Sequence, residues 1–127
     1  MGRPPAKDLT ERELEVMHVF WRRQEATAAE ARDHLAARGR DRTYTTIANL
    51  VRALHDKGFL RQVNDERPFR YRPVRTYEDV SGRLLGDLLV RVFQGSRAQL
   101  LKRLVEQRKL TAEERAVLEG ILKERGR

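Results

Sequence analysis

Thr43, Tyr44, Thr45, Thr46, Asn49 and Arg52 crowd into one ten-residue stretch, and their side chains are of the kinds that read and grip a polyanion. Asparagine pairs bidentately with adenine, threonine offers a methyl to thymine and a hydroxyl to phosphate, and arginine takes guanine or phosphate. On a helix laid in a major groove the residues near the N-terminus reach deepest. Tyr44, Thr45, Thr46 and Asn49 are therefore the candidates for base contact, and Thr43 and Arg52 for the backbone. Arg40 and Arg42 stand just before this stretch and Arg67, Arg70 and Arg72 after it, all five suited to holding phosphates. A polar helix face is commonly only a solvated face, and threonines at a helix start are ordinary caps. The weight lies in the conjunction of a basic loop, a Thr/Asn-faced helix and an arginine-lined segment in adjacent order.

The distribution of charge agrees. The 127-residue chain carries 27 Lys and Arg against 19 Asp and Glu, a net charge of +8. Residues 1–37 hold six basic and seven acidic side chains, residues 38–75 ten and four, and residues 76–127 eleven and eight. The excess is focused on the middle segment, as a binding face for a polyanion requires. With no cysteine there is no disulfide framework, thiolate nucleophile or thiolate-bound metal. His18, His34 and His55 fall on three separate predicted helices without ligand spacing or a paired acid, and read as solvated or cap-adjacent. The acids Glu11, Glu13 and Glu15 read as first-turn compensation of a helix dipole. Trp21 and Phe20 read as core anchors. No glycine-rich phosphate loop or nucleophile elbow is present, so neither an enzyme nor a cofactor or metal is expected. The apolar runs are too short to span a membrane, and Met1–Pro5 lacks the apolar segment of a signal peptide; the expected location is the cytoplasm.

These residues need elements to place them, and the helix starts are well marked. A Ser or Thr followed three positions later by an acid or amide satisfies two orphan amides reciprocally. The pattern occurs at Thr10/Glu13, Thr27/Glu30, Ser96/Gln99 and Thr111/Glu114, with Thr76/Asp79 a weaker variant. A first helix is predicted from about Glu11 to Arg23, burying Leu14, Met17 and Trp21 with Val16 and Phe20. A second runs from about Ala28 to Arg38 and stops at Gly39. A third, from Thr43 or Tyr44 to Lys57, carries Ile47, Leu50, Val51 and Leu54 at i, i+3, i+4, i+7 and so packs on one side. Residues 59–63 and 69–73 alternate apolar and polar around a polar turn and read as a β-hairpin. Helix, helix, helix, hairpin is the order of a winged helix-turn-helix.

From Thr76 the pattern is purely helical, with helices at about Tyr77–Phe93, Arg97–Gln107 and Ala112–Lys123. The apolar set Val80, Leu84, Leu85, Leu88, Leu89, Val92, Leu100, Leu101, Leu104, Val117, Leu118 and Ile121 is too rich for so small a unit to bury alone. A second copy of the chain is the expected cover. The fold class expected is mainly α with a small β-hairpin wing: an N-terminal arm (1–8), a winged helix-turn-helix (9–75) and a three-helix dimerisation segment (76–127). The competing readings are a non-specific nucleoid protein, an RNA- or ribosome-associated protein and a repressor with a small-molecule site. The second lacks an exposed aromatic platform. The third lacks polar groups converging on its leucine interior.

The runs Leu9–Met17 with Trp21, Tyr44-Thr45-Thr46-Ile47, Leu50–Leu54 and Lys57-Gly58, together with Tyr71-Arg72-Pro73 and Leu110–Glu114, resemble the penicillinase repressors of the BlaI/MecI type over nearly the whole chain. The resemblance implies a cytoplasmic homodimer that represses transcription from a palindromic operator with TACA/TGTA-type half-sites. It also implies a membrane sensor protease as a partner in induction. Members of that family are cleaved at an Asn-Phe bond in the dimerisation region; the matching positions here are Arg103 and Leu104, so the resemblance does not extend to that bond. Copper-responsive relatives carry a cysteine cluster that this chain lacks.

Overall fold

Two pairs of reciprocal hydrogen bonds start the first two helices. Thr10 N–H donates to Glu13 Oε1 at 2.8 Å while Glu13 N–H donates to Thr10 Oγ1 at 3.1 Å, and Thr27 and Glu30 repeat the arrangement at 3.0 and 3.1 Å. The structure, a computed structural model, describes residues 9–125. The elements in chain order are α1 (Glu11–Arg23), β1 (Ala26–Thr27), α2 (Ala28–Ala37), α3 (Tyr44–Asp56), β2 (Leu60–Gln62), β3 (Arg70–Pro73), α4 (Tyr77–Arg91), α5 (Arg97–Gln107) and α6 (Ala112–Arg125). The helices lie where the caps and periodicity put them. Thr111 and Glu114 form a third reciprocal pair, and Ser96 and Thr76 each accept the amide three residues on. Gly39 and Gly58 end α2 and α3 with φ of +82° and +84°, a conformation that costs a side-chain-bearing residue about 1–2 kcal/mol.

The chain divides into two compact units, the first ending at Leu85 and the second beginning at Gly86. In the first, α1 contributes Val16, Met17, Val19 and Phe20 to the core, α2 Ala31 and Leu35, and α3 Ile47, Val51 and Leu54. Phe59 and Leu60 close it from the hairpin. Val80 also belongs to this core, 1 % exposed, with Leu84 packed against it. That corrects the expectation of Val80 as a dimerisation residue. One turn of α4 beyond its first is used to cover the reader, so the compact unit extends ten residues past the boundary expected at Arg75. Leu14 and Trp21 are only partly buried, but Trp21 Nε1 donates to the Arg75 carbonyl at 2.8 Å and so ties α1 to the chain leaving the hairpin.

The sheet has three strands in the order β1-β3-β2, all antiparallel, with Ala26 opposite Tyr71 and Arg61 opposite Arg72. The hairpin was expected; β1 was not, because two residues are too few to show an alternating pattern. The turn of the hairpin is built on Asn64, whose Nδ2 donates to the carbonyls of Glu66 and Pro68 and whose Oδ1 accepts from Arg70 N–H at 2.7 Å. No helix of the described residues is long and apolar enough to cross a membrane.

Glu13 does more than compensate a dipole. It is 4 % exposed, and besides its cap it accepts from Lys57 Nζ at 2.9 Å, joining the start of α1 to the end of α3. Burial pushes its carboxyl up, but the Thr10 amide and the Lys57 ammonium outweigh this and hold it below the ordinary 4.5. Between that depressed value and 4.5 the unfolded chain binds more protons than the folded one, so stability rises with pH there. Glu13 thus contributes stability that is fully present above the ordinary carboxylate range and is lost as pH falls through its folded value. Glu13→Gln is expected to cost about 1.5–3 kcal/mol at pH 7, the scale of charge-assisted hydrogen bonds. It should also flatten the acid limb of a urea-denaturation series between pH 3 and 6; an unchanged limb would remove Glu13 from the acid response.

Candidate nucleic-acid interface

The α3 start is held by Thr43, whose Oγ1 accepts the Thr46 amide at 3.1 Å and donates to Thr46 Oγ1 at 2.9 Å. Thr46 is thereby half-covered and shares its hydroxyl with the cap. Tyr44 is 49 % exposed, and Thr45, Asn49 and Arg52 are exposed along the same helix. With a repeat of 3.6 residues, Thr45, Asn49 and Arg52 form one solvent-facing stripe, while Ile47, Val51 and Leu54 face the core. Tyr44, Ala48, Arg52 and His55 form the stripe between them. It lines a cavity of about 600 Å³ whose other walls are Thr27–Ala29 at the start of α2 and Gln62 and Arg67–Phe69 of the hairpin, with Tyr71. Tyr71 meets the His55 ring edge-on at 5.8 Å, and the Arg67 guanidinium lies 4.8 Å above the Phe69 ring.

The five candidate backbone arginines outside α3 separate into two groups. Arg67 opens onto the cavity beside α3. Arg70 and Arg72, whose side chains point to the opposite side of β3 from Tyr71, bind Glu25: Arg70 Nε donates at 2.6 Å and Arg72 Nη1 at 3.2 Å. Arg70 also reaches Glu30 at 3.3 Å, and Arg23 approaches the same carboxylate at 3.8 Å. The hydrogen bond from Arg70, then that from Arg72, holds the Glu25 carboxyl below its ordinary range, and Glu25 in turn raises Arg70. Much of the wing's charge is thus compensated within the chain. Arg42 is likewise engaged, donating from Nε and Nη2 to both oxygens of Glu15 at 3.0 Å, with Arg40 at 3.6 Å from the same carboxylate. Glu15 and Glu25 orient these arginines, and sequence reasoning missed both roles. An acid between two helices, as Glu25 is, was the available signal, but its partners lie 45 and 47 residues away.

The histidines do not converge. His18 stands between the Trp21 and Tyr77 rings at centroid distances of 5.3 and 6.1 Å, and His34 Nε2 accepts from Arg38 Nε at 3.2 Å. Among the described residues no group of His, Asp and Glu could hold a metal ion. In the second unit, α5 and α6 have no buried residue; Leu101, Leu104, Val117, Leu118 and Ile121 are 39–59 % exposed, and on or just after α4 Leu88 is 42 % and Val92 63 % exposed, with Leu85, the last residue of the first unit, at 53 %. Leu84, Leu89 and Leu100 are half-buried.

Three helices, a hairpin and an uncovered Thr/Asn/Arg stripe on the third helix define a winged helix-turn-helix reader. The structures of reduced and oxidised MarR from E. coli share this fold, with TM-scores of 0.51 and 0.50 over 93 % of this chain and 78 % and 76 % of theirs, at 17 % and 19 % identity. The penicillinase repressor family model matches residues 9–124, and the chain belongs to that family. It is 26 % identical over 115 residues to the methicillin resistance regulatory protein MecI of Mammaliicoccus sciuri, covering 91 % of this chain and 93 % of that one. It is 34 % identical over 97 residues to the transcriptional regulator BlaI of Mycobacterium tuberculosis (strain H37Rv), covering 75 % and 70 %. Family membership makes it a DNA-binding transcriptional repressor and not an enzyme.

Proposed function

We propose that the protein represses transcription as a homodimer that places α3 of each protomer in a major groove of a palindromic operator. The observation that carries this reading is the Thr45–Asn49–Arg52 stripe, uncovered on a helix whose opposite side is locked into the core. Tyr44, Thr45 and Asn49 supply base contacts, Thr46 a shorter-reaching one because its hydroxyl is shared with the cap. Arg52 and Arg67 flank the cavity beside the helix and hold phosphates, with Thr43 at the helix start; Arg40 and Arg42, tied to Glu15, reach phosphate only with the donors that remain free. Arg70 and Arg72 brace the wing through Glu25 and reach phosphate only with the part of their donor fork that remains free. The exposed apolar residues of α4–α6 supply the interface between protomers, since monomers rarely leave so many large apolar side chains of three successive helices open. A two-fold dimer spaces its recognition helices for half-sites about one helical turn, roughly 34 Å, apart.

Selection from a random duplex pool at physiological salt, run with the wild type and Asn49→Ala, tests this. The wild type should enrich a palindrome, and Asn49→Ala should bind that palindrome about 1–3 kcal/mol more weakly, the scale of a bidentate base contact. Enrichment of no sequence, with tight binding only at low salt, would establish a non-specific packing protein instead. An equal loss on selected and scrambled duplexes would remove Asn49 from base reading.

A further inference from the structure

A second concavity, of about 590 Å³, runs along the outer side of α1 toward the end of α2 and the turn into α3, away from the wing. Its floor is apolar, Leu14 and Leu35. Arg42 and Arg40 form one wall and are compensated by Glu15, which keeps them turned toward α1. Arg12, Arg22 and Arg38 also line it, with Glu11 and His18, and none of the three arginines is within ion-pair distance of a carboxylate among the described residues. The Arg38 guanidinium donates to the His34 imidazole. Burial, and after it the neighbouring guanidiniums, lowers the pKa of both His18 and His34: Arg22 acts on His18, and Arg38, Arg22 and Arg23 on His34. The imidazoles therefore add no charge near neutrality and leave the guanidiniums as the donors.

Spacing selects the ligand. Arg12 and Arg22 are ten residues apart on α1, about 15 Å at 1.5 Å per residue, which equals the axial rise of about four nucleotides at 3.4 Å each. A chain of phosphates of that length can engage both ends at once. We propose that this groove binds a phosphate chain through Arg12, Arg22 and Arg38, three side chains outside the α3 and wing interface, with the Arg40 and Arg42 wall adjoining it. Two sources present that chemistry, the operator backbone flanking the palindrome and a free linear polyphosphate. Where the source is DNA the inference rests on the operator reading above; a polyphosphate measurement contains no DNA and separates the two.

The test uses the full chain and the variant Arg12→Gln/Arg22→Gln/Arg38→Gln, whose sites are exposed and whose fold is checked by circular dichroism. Arg97→Gln/Arg108→Gln/Arg115→Gln removes the same charge from the second unit as a control. One arm titrates a linear inorganic polyphosphate of about ten phosphates, long enough to span the roughly 15 Å between Arg12 and Arg22; the other measures salt dependence on the bare palindrome and on the palindrome extended by ten base pairs on each side. A free-ligand site predicts polyphosphate binding that falls at least about tenfold in the groove variant alone. A flanking-backbone site predicts that the log–log salt slope on the extended duplex falls by about two to three per protomer in the groove variant, with the slope on the bare palindrome unchanged. If the groove variant and the control behave alike in both arms, the groove is only a solvated basic surface and the proposal is overturned.

Discussion

Leu88→Asp is expected to leave the protein monomeric and to weaken operator binding by about two to four orders of magnitude. Linking two readers makes the second half-site contact intramolecular, and a gain of that size is what the linkage supplies. Leu88 is 42 % exposed in the single chain, so a carboxylate there stays hydrated in the monomer and must be desolvated only when a second copy covers it. The core of the first unit, which ends with Val80 and the flanking Leu84, does not use Leu88. The variant should therefore keep its thermal transition for the reader and its affinity for an isolated half-site while losing the dimer. Sedimentation equilibrium together with titration of the selected palindrome and of a single half-site reads all three quantities. A variant that still sediments as a dimer would place the interface on other residues. One that becomes monomeric without losing operator affinity would show that repression does not depend on paired readers.

Phe20→Ala is expected to destabilise the protein by about 3–5 kcal/mol, the usual range for truncating a fully buried aromatic. Phe20 has no exposed surface and is the largest of the side chains that α1 sends into the core formed with α2, α3 and the hairpin. Its removal leaves a void that surrounding groups fill only in part, and the missing contacts add to the lost transfer energy. A typical domain has about 5–15 kcal/mol in all, so a large share of the margin disappears. The consequence for function is indirect: α3 keeps its face uncovered only while Ile47, Val51 and Leu54 stay seated. Chemical denaturation gives the value, and DNA binding at low temperature, where the variant remains folded, should be close to wild type. A loss below about 1 kcal/mol would mean that the core collapses around the gap.

Local chemistry was legible in advance wherever both partners lie within one helical turn. The caps at Thr10, Thr27, Ser96, Thr76 and Thr111 are contacts over three residues, so the residue types alone announce them, and with them the starts of five helices. The apolar stripe of α3 likewise announced which of its faces would be buried, and by difference that Thr45, Asn49 and Arg52 would be open. Resemblance to a repressor family rested on these same runs.

Contacts between distant segments were decided by the tertiary structure. Periodicity says that an arginine lies off the apolar stripe, but not whether it meets phosphate or a carboxylate from elsewhere in the chain. Arg70 and Arg72 meet Glu25, Arg42 meets Glu15 and Lys57 meets Glu13 across separations of 27 to 47 residues. Val80 shows the same limit for apolar residues. Its helix carries leucines over a wide arc, and only the packed core decides that this valine serves the reader while Leu88 stays open. The sequence by itself thus determined the elements, their order and the identity of the reading helix, because those follow from hydrogen bonds and repeats closed within a few residues. Which charges remain free to act, and where the reader ends, depended on which distant side chains folding brought within about 3 Å, a distance that no local pattern encodes.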